Sequence, residues 1–167
     1  PGAAYSLFTL AAESGLTEAI NALARATWTG SGITSNRTES LRLLRIAARR
    51  GYAPALGNLA FMYAEGAGEP HIPRDRTVAK ALAERSSDIP LSKAVLGTLL
   101  RDGADPARGI ALLQEAAPKI PYARYQLGMA YEHGLGIGQD RALAIIEYEK
   151  AAAEGSSQAR TRIQLLT

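Results

Sequence analysis

Few residues of this chain could do chemistry, and none stands in a pattern that a reaction requires. Gly134-Leu135-Gly136-Ile137-Gly138 comes nearest to a phosphate-cradling loop. A dinucleotide loop of that kind follows a strand, opens a helix and has glycine at its sixth position. Here a helical pattern precedes the glycines and Gln139 holds the sixth position. Gly30-Ser31-Gly32 puts a serine between glycines, but the G-x-S-x-G frame of a nucleophile elbow is absent. The two histidines, His71 and His133, lie far apart, and no carboxylate spacing predicts their convergence on a metal ion. Glu147 and Glu149 beside Lys150 read as a solvated helix face, since paired carboxylates do acid–base work only when burial shifts a pKa. There is no cysteine, which excludes a disulfide framework, a zinc–thiolate site and a cysteine nucleophile. The expectation is a non-enzymatic chain with no catalytic residue, no cofactor and no metal.

The elements that would have to position any site are much clearer. The chain has 167 residues, 47% of them hydrophobic, which is enough for a buried core and excludes disorder as the main state. Its formal charge of +3 is scattered, without runs of like charge, so a dedicated nucleic-acid surface is not expected. No stretch approaches the length of apolar sequence that spans a membrane. The chain begins at Pro1 without a signal peptide, and upstream sequence is expected to have been removed.

Self-similarity organises the rest. Ala55, Leu59, Ala60, Tyr63, Gly66 and Gly68 recur as Ala123, Leu127, Gly128, Tyr131, Gly134 and Gly136. Ala19, Leu23, Ala24, Thr27, Gly30 and Gly32 fit the same frame, and Ser92, Leu96, Gly97, Leu100 and Gly103 fit it more loosely. The frames begin at 19, 55, 92 and 123, with spacings of 36, 37 and 31. Periods of this size mean stacked helical hairpins. The second half of each unit repeats too: Leu41 to Arg45 leads to Ala47-Ala48, Ile110 to Glu115 leads to Ala116-Ala117, and Asp140 to Leu143 leads to Ala151-Ala152 and Gly155. The expected units are 1–16 (a half-unit), 17–52, 53–89, 90–120, 121–156 and 157–167 (a half-unit). The half-units at both ends read as points where a longer array has been cut.

In one unit, frame positions 0, 1, 4, 5 and 8 share an arc of a helix. Alanine, leucine, a small residue and tyrosine therefore face the core, and the small residue lets the partner helix come close. Tyr63 and Tyr131 are expected to bury their rings. The glycine at position eleven ends the helix in a left-handed turn. Asp105-Pro106 and Asp140 then start the second helices as N-caps. No alternating strand pattern competes, so the fold class is all-α, an α/α solenoid. The third unit is the weakest, with Ser86-Ser87 in place of paired alanines, and the second carries an insertion, Glu69-Pro70-His71-Ile72-Pro73.

The pattern Ala-x-x-x-Leu-Gly-x-x-Tyr-x-x-Gly-x-Gly, then Asp, an alanine-containing helix, Ala-Ala and Gly, resembles the Sel-one-like repeat (SLR) family, a relative of the tetratricopeptide repeat. The likeness is strong at 123–155, good at 53–68 and partial at 19–51 and 92–117. It implies a right-handed superhelix of antiparallel helix pairs and a protein-interaction role as adaptor or regulator. It also implies a bacterial source and a place in the periplasm or cell envelope, with the cytoplasm as the alternative. One subgroup of the family ties its helices with cysteines, which this chain lacks.

Positions 2, 6, 9 and 10 of each first helix point away from the packing arc and in related arrays line the concave surface. Arg25, Trp28, Phe61, Glu65, Arg101, Tyr125, Met129, Glu132 and His133 fall there or beside it, and form the expected partner-binding face. Aromatic residues, Met and Arg are the types enriched at protein interfaces. The expected function is a non-enzymatic scaffold that grips a protein or peptide, with Phe61 and Met129 as anchors. The alternative is recognition of a cell-envelope glycan such as peptidoglycan or an exopolysaccharide, stacked on Trp28 and Tyr125. Neither nucleic acid nor a membrane span enters either reading.

Overall fold

A computed structural model describes residues 6, 9, 10, 12, 15–30, 34–66 and 72–166. The half-unit expected at 1–16, the Ser31-Gly32 pair and the first part of the insertion, including His71, lie wholly or largely outside the described residues. Among the described residues there are nine helices and no strand: α1 (Thr17–Thr29), α2 (Arg37–Arg49), α3 (Ala53–Glu65), α4 (Arg76–Glu84), α5 (Pro90–Arg101), α6 (Pro106–Ala116), α7 (Pro121–His133), α8 (Arg141–Ala153) and α9 (Ser157–Leu166). The fold is the expected all-α helical-repeat solenoid. The chain divides into two compact units, Pro1–Ser86 with α1 to α4 and Ser87–Thr167 with α5 to α9.

Two kinds of helix start alternate. The first helices of the hairpins, α1, α3, α5 and α7, follow Leu16, Tyr52, Ile89 and Ile120, which make no side-chain cap. The second helices, α2, α4, α6 and α8, follow Asn36, Asp75, Asp105 and Asp140, and each of these side chains accepts the N–H three residues on. The same four residues close the hairpins. Their backbone N–H groups donate to the carbonyls of Thr27, Tyr63, Leu100 and Tyr131, which are frame position eight of each repeat. Loops of different length thus end on one fixed bond, so the insertion before Asp75 leaves the hairpin register intact. An N-cap of this type contributes about 1 kcal/mol. Asp140→Ala is expected to lower stability by about that amount, read as a shift in the urea midpoint, while Asp140→Ser leaves it nearly unchanged.

Helices of 9 to 13 residues are too short to persist alone. Packing holds them, and alanine makes the packing close. In the first unit Ala24, Ala47, Ala55, Ala60, Ala79 and Ala83 are fully buried, with Leu41, Leu44, Leu56 and Leu59 filling the space between. In the second unit Ala94, Ala123, Ala130, Ala144, Ala151 and Ala159 play that part around Val95, Leu113 and Leu127. Frame position five is small and buried in every repeat, at Ala24, Ala60, Gly97 and Gly128. The expectation for Tyr63 and Tyr131 needs correcting, because both rings are only half-buried. Among the described residues the fully enclosed tyrosine is Tyr148 on α8, whose ring lies against Gly128 of α7, where a Cβ would stand 2.5 Å from Cε1 of the ring.

Candidate functional site

The expected partner face is dispersed by its surroundings. On α1, Arg25 is exposed, and Trp28 is half-buried with the Arg37 guanidinium 5.0 Å above its ring. On α3, Phe61 is half-buried, and Glu65 sits 3.9 Å from Arg74, whose Nε also donates to the Glu65 carbonyl. Asn58 Nδ2 donates to Asn21 Oδ1 at 3.1 Å and ties α3 to α1 on this side.

In the second unit Arg101 corrects the expectation of a displayed charge. It is 7% exposed. Its Nη1 donates to the Gln126 carbonyl at 2.8 Å and to Gln126 Oε1 at 3.0 Å, and its Nε donates to Asp102. A guanidinium with five donors is kept inside because Gln126, midway along α7, and Asp102 offer it acceptors. Tyr125 and Met129 are half-buried in the cluster built on Ala144, Tyr148, Ala151 and Ala159, on which Ile163 and Leu166 of α9 also pack, with 5.7 Å between the Tyr125 and Tyr148 ring centres. Glu132 accepts Arg162 Nε at 2.8 Å and a second bond from Arg162 Nη2, and it takes the Tyr148 hydroxyl at 2.7 Å. The Arg162 bonds, with a smaller contribution from the Tyr148 hydroxyl, hold the Glu132 carboxyl below its usual range against the opposing effect of burial. His133 is exposed, with Nε2 3.8 Å from Glu132. The structure therefore brings Tyr125, Met129 and Glu132 together, but as the seat of α9. No group of three or more His, Cys, Asp or Glu that could hold a metal occurs among the described residues.

The open surface with the most binding character lies elsewhere in the first unit. One stripe from each of three helices lines a groove of about 440 Å³: Arg45, Ala48 and Arg49 from α2, Leu56, Leu59 and Tyr63 from α3, and Val78, Leu82 and the adjoining Arg85 from α4. Helical spacing sets each stripe on one face. Leu56, Leu59 and Ala48 are buried and form the floor, and Val78 is a 36% exposed hydrophobic at the mouth. Arg45, Arg49 and Arg85 are exposed on the rim. Among the described residues none of the three has a carboxylate partner; Arg45 only donates to the Tyr63 hydroxyl, at 3.3 Å. Among the described residues no acidic side chain lines the groove.

The same place recurs one repeat earlier, lined by Thr9, Ala12, Ile20, Leu23, Glu39, Arg42, Leu43, Ile46 and Arg50. There Thr9 and Ile46 replace Arg45 and Arg85, and Glu39, in the slot of Val78, is paired with Arg42 by two bonds of 2.7 Å. Arg50 is spent on the Gly15 carbonyl. In the repeat of α7 and α8 the floor itself changes. Arg124 stands in the Leu56 slot and Glu147 in the Leu82 slot, 3.6 Å apart, with Glu154 and Lys150 completing the network. Of these three copies, the one between α2, α3 and α4 combines an apolar floor with a cationic rim that has no carboxylate partner among the described residues. A slot-by-slot comparison of repeats would have exposed this contrast in the sequence, where reading the first helices alone passes over it.

A family model described as Sel1 repeat matches residues 1–16, 17–52, 53–88, 96–117 and 121–156. Among solved structures the chain is similar to a protective antigen of uropathogenic Escherichia coli strains that displays an SLR fold. That match has 26% identity over 95% of this chain and 35% of the other, with a TM-score of 0.68. A Sel1 repeat protein from Oxalobacter formigenes matches at 25% identity over 93% of this chain and 65% of that one, with a TM-score of 0.63. A Klebsiella pneumoniae protein assigned to the same repeats is 22% identical, covers 97% and 98% of the two chains and has a TM-score of 0.58, a likeness of fold alone. This chain thus spans about a third of the first of these proteins and 65% of the second. No curated protein matches it.

Proposed function

Because this chain belongs to the Sel1 repeat family, whose members generally mediate protein–protein interaction and are generally non-catalytic, we propose that it is a non-enzymatic scaffold that receives a partner protein in the groove between α2, α3 and α4. The observation that carries this reading is the unpaired Arg45, Arg49 and Arg85 around an open apolar floor. Exposed apolar surface rimmed by polar groups marks interaction sites, and Arg is among the residues that dominate interface energetics. Phe61 lies about half a turn around α3 from Leu59 and Tyr63, so it belongs to a different face from the groove.

The glycan alternative needs free ring faces. Arg37 covers one face of Trp28, and Tyr125 leans on Tyr148, so the geometry lends it no support.

Val78→Trp tests the proposal by filling the mouth of the groove. Substitutions at an exposed site usually change stability by less than about 0.5 kcal/mol, so the variant should melt within a few degrees of the parent. Affinity purification of the two forms with mass spectrometry is expected to show specific partners that the variant loses. Retention of the same partners at the same yield would overturn the reading.

A further inference from the structure

We infer that the occupant of the groove is an acidic amphipathic helix of a partner protein, an inference that rests on the docking role proposed above. The charge comes first. Arg45 and Arg49 stand on the α2 side of the apolar floor and Arg85 on the α4 side. A matching surface has an apolar stripe with carboxylates along both flanks. Arginine favours carboxylates because its planar fork can bind both oxygens at once. A basic segment would meet three guanidinium groups and, among the described lining residues, no carboxylate.

The backbone decides the conformation. The groove is walled by three helices whose N–H and C=O groups are used internally, so it offers no ladder to an extended peptide. A helix satisfies its own backbone and needs only side-chain contacts, as in other helix-in-groove complexes. Its apolar residues at i, i+3, i+4 and i+7 would lie over Leu56, Leu59, Val78 and Leu82.

The chain's other copies of the groove supply the contrast. Glu39 takes the slot of Val78 one repeat earlier, which places a carboxylate where an acidic ligand would have to approach. Arg124 and Glu147 close the floor in the repeat of α7 and α8. Of the three copies compared, the one between α2, α3 and α4 alone suits an acidic helix.

Three labelled peptides with one apolar pattern and flanks of Glu, Gln or Lys test this by fluorescence anisotropy on the whole chain. The Glu peptide is expected to bind about tenfold or more tightly than the Gln peptide, from three exposed charge pairs of modest strength each. Its advantage should shrink between about 0.1 M and 1 M salt, as the screening length falls from about 10 Å to about 3 Å. The Arg45→Gln, Arg49→Gln, Arg85→Gln triple variant should lose the advantage, and Val78→Glu, which restores the carboxylate of the earlier repeat, should weaken the Glu peptide by about tenfold.

Equal binding of the Gln or Lys peptide, an unchanged triple variant, or no binding by any peptide would overturn the acidic-helix inference. If Val78→Trp still abolished partner capture in those cases, the docking groove would stand without it. If Val78→Trp left partner capture intact, both would fall.

Discussion

Gly109→Ala should cost about 2 kcal/mol or more and loosen the hairpin that opens the second unit. A Cβ built on Gly109 of α6 would lie 2.3 Å from the Arg101 nitrogen, 2.7 Å from the Arg101 Cα and 2.7 Å from the Gly97 carbonyl oxygen. All three are backbone atoms, so no rotamer change relieves the clash. Gly97 faces the same contact from α5, where a Cβ would meet the Gly109 oxygen at 2.9 Å. Two effects oppose each other. Alanine favours a helix over glycine by roughly 0.5–1 kcal/mol, whereas overpacking a tight site costs roughly 1–3 kcal/mol and occasionally more. Rigid contacts below 3 Å on several sides put this site at the upper end. Parting α5 from α6 also strips contacts from Val95 and Leu113, both fully buried, and pulls Arg101 from Gln126. Gly138→Ala is the control, with nothing within 4 Å of the added carbon. Urea unfolding of the two variants should differ by most of the predicted cost, and a Gly109→Ala protein within about 0.5 kcal/mol of the parent would refute the close approach.

What the sequence made legible is what short-range chemistry decides. Asp105 and Asp140 are caps because a carboxylate one residue before a helix can reach its third N–H, and the helix-ending Gly30 and Gly134 adopt φ of 72° and 67°. The small residue at position five is legible because its partner helix is part of the repeat. Gly109 was not, since it lies on the second helix of a hairpin whose close contact involves α5 backbone. Arg101 was misjudged because frame position nine points outward only where nothing covers it, and here the Gln126 carbonyl does. The groove needed residues from three helices, with Arg45 and Arg85 forty positions apart, and no local pattern joins them. Tyr148 escaped notice for a related reason: its slot is visible only as the absence of a side chain at Gly128.

Glu132→Gln should detach α9 from its seat and change the acid limb of the stability curve. The Glu132 side chain is 11% exposed and that of Arg162 is 30% exposed, so the pair is shielded but not dry. Breaking a fully buried pair costs roughly 3–5 kcal/mol. Partial exposure of Arg162 reduces that through solvent screening, to about 2 kcal/mol at neutral pH. Glutamine can still accept the Tyr148 hydroxyl, so the loss isolates the ion pair, whereas Tyr148→Phe removes only the hydroxyl's bond.

The Arg162 bonds, and secondarily the Tyr148 hydroxyl, hold the Glu132 carboxyl below its ordinary 4.5 in the folded chain. Its contribution is therefore complete above about 4.5 and disappears as pH falls through the lower folded value. The gap between parent and Glu132→Gln should be constant from neutral pH down to about 5 and close on further acidification. At the alkaline end burial, and then the neighbouring Glu132, push the Tyr148 phenol above its ordinary 10.0. The unfolded chain ionises there first, so stability falls above pH 10 in the parent and not through this group in Tyr148→Phe. Hydrogen exchange along Ser157–Leu166 reads the local consequence, because α9 packs chiefly on α8 and is tied to α7 through the Glu132–Arg162 pair. Parallel pH curves for parent and Glu132→Gln would mean that Ile163 and Leu166 alone anchor the helix and that the carboxylate is dispensable.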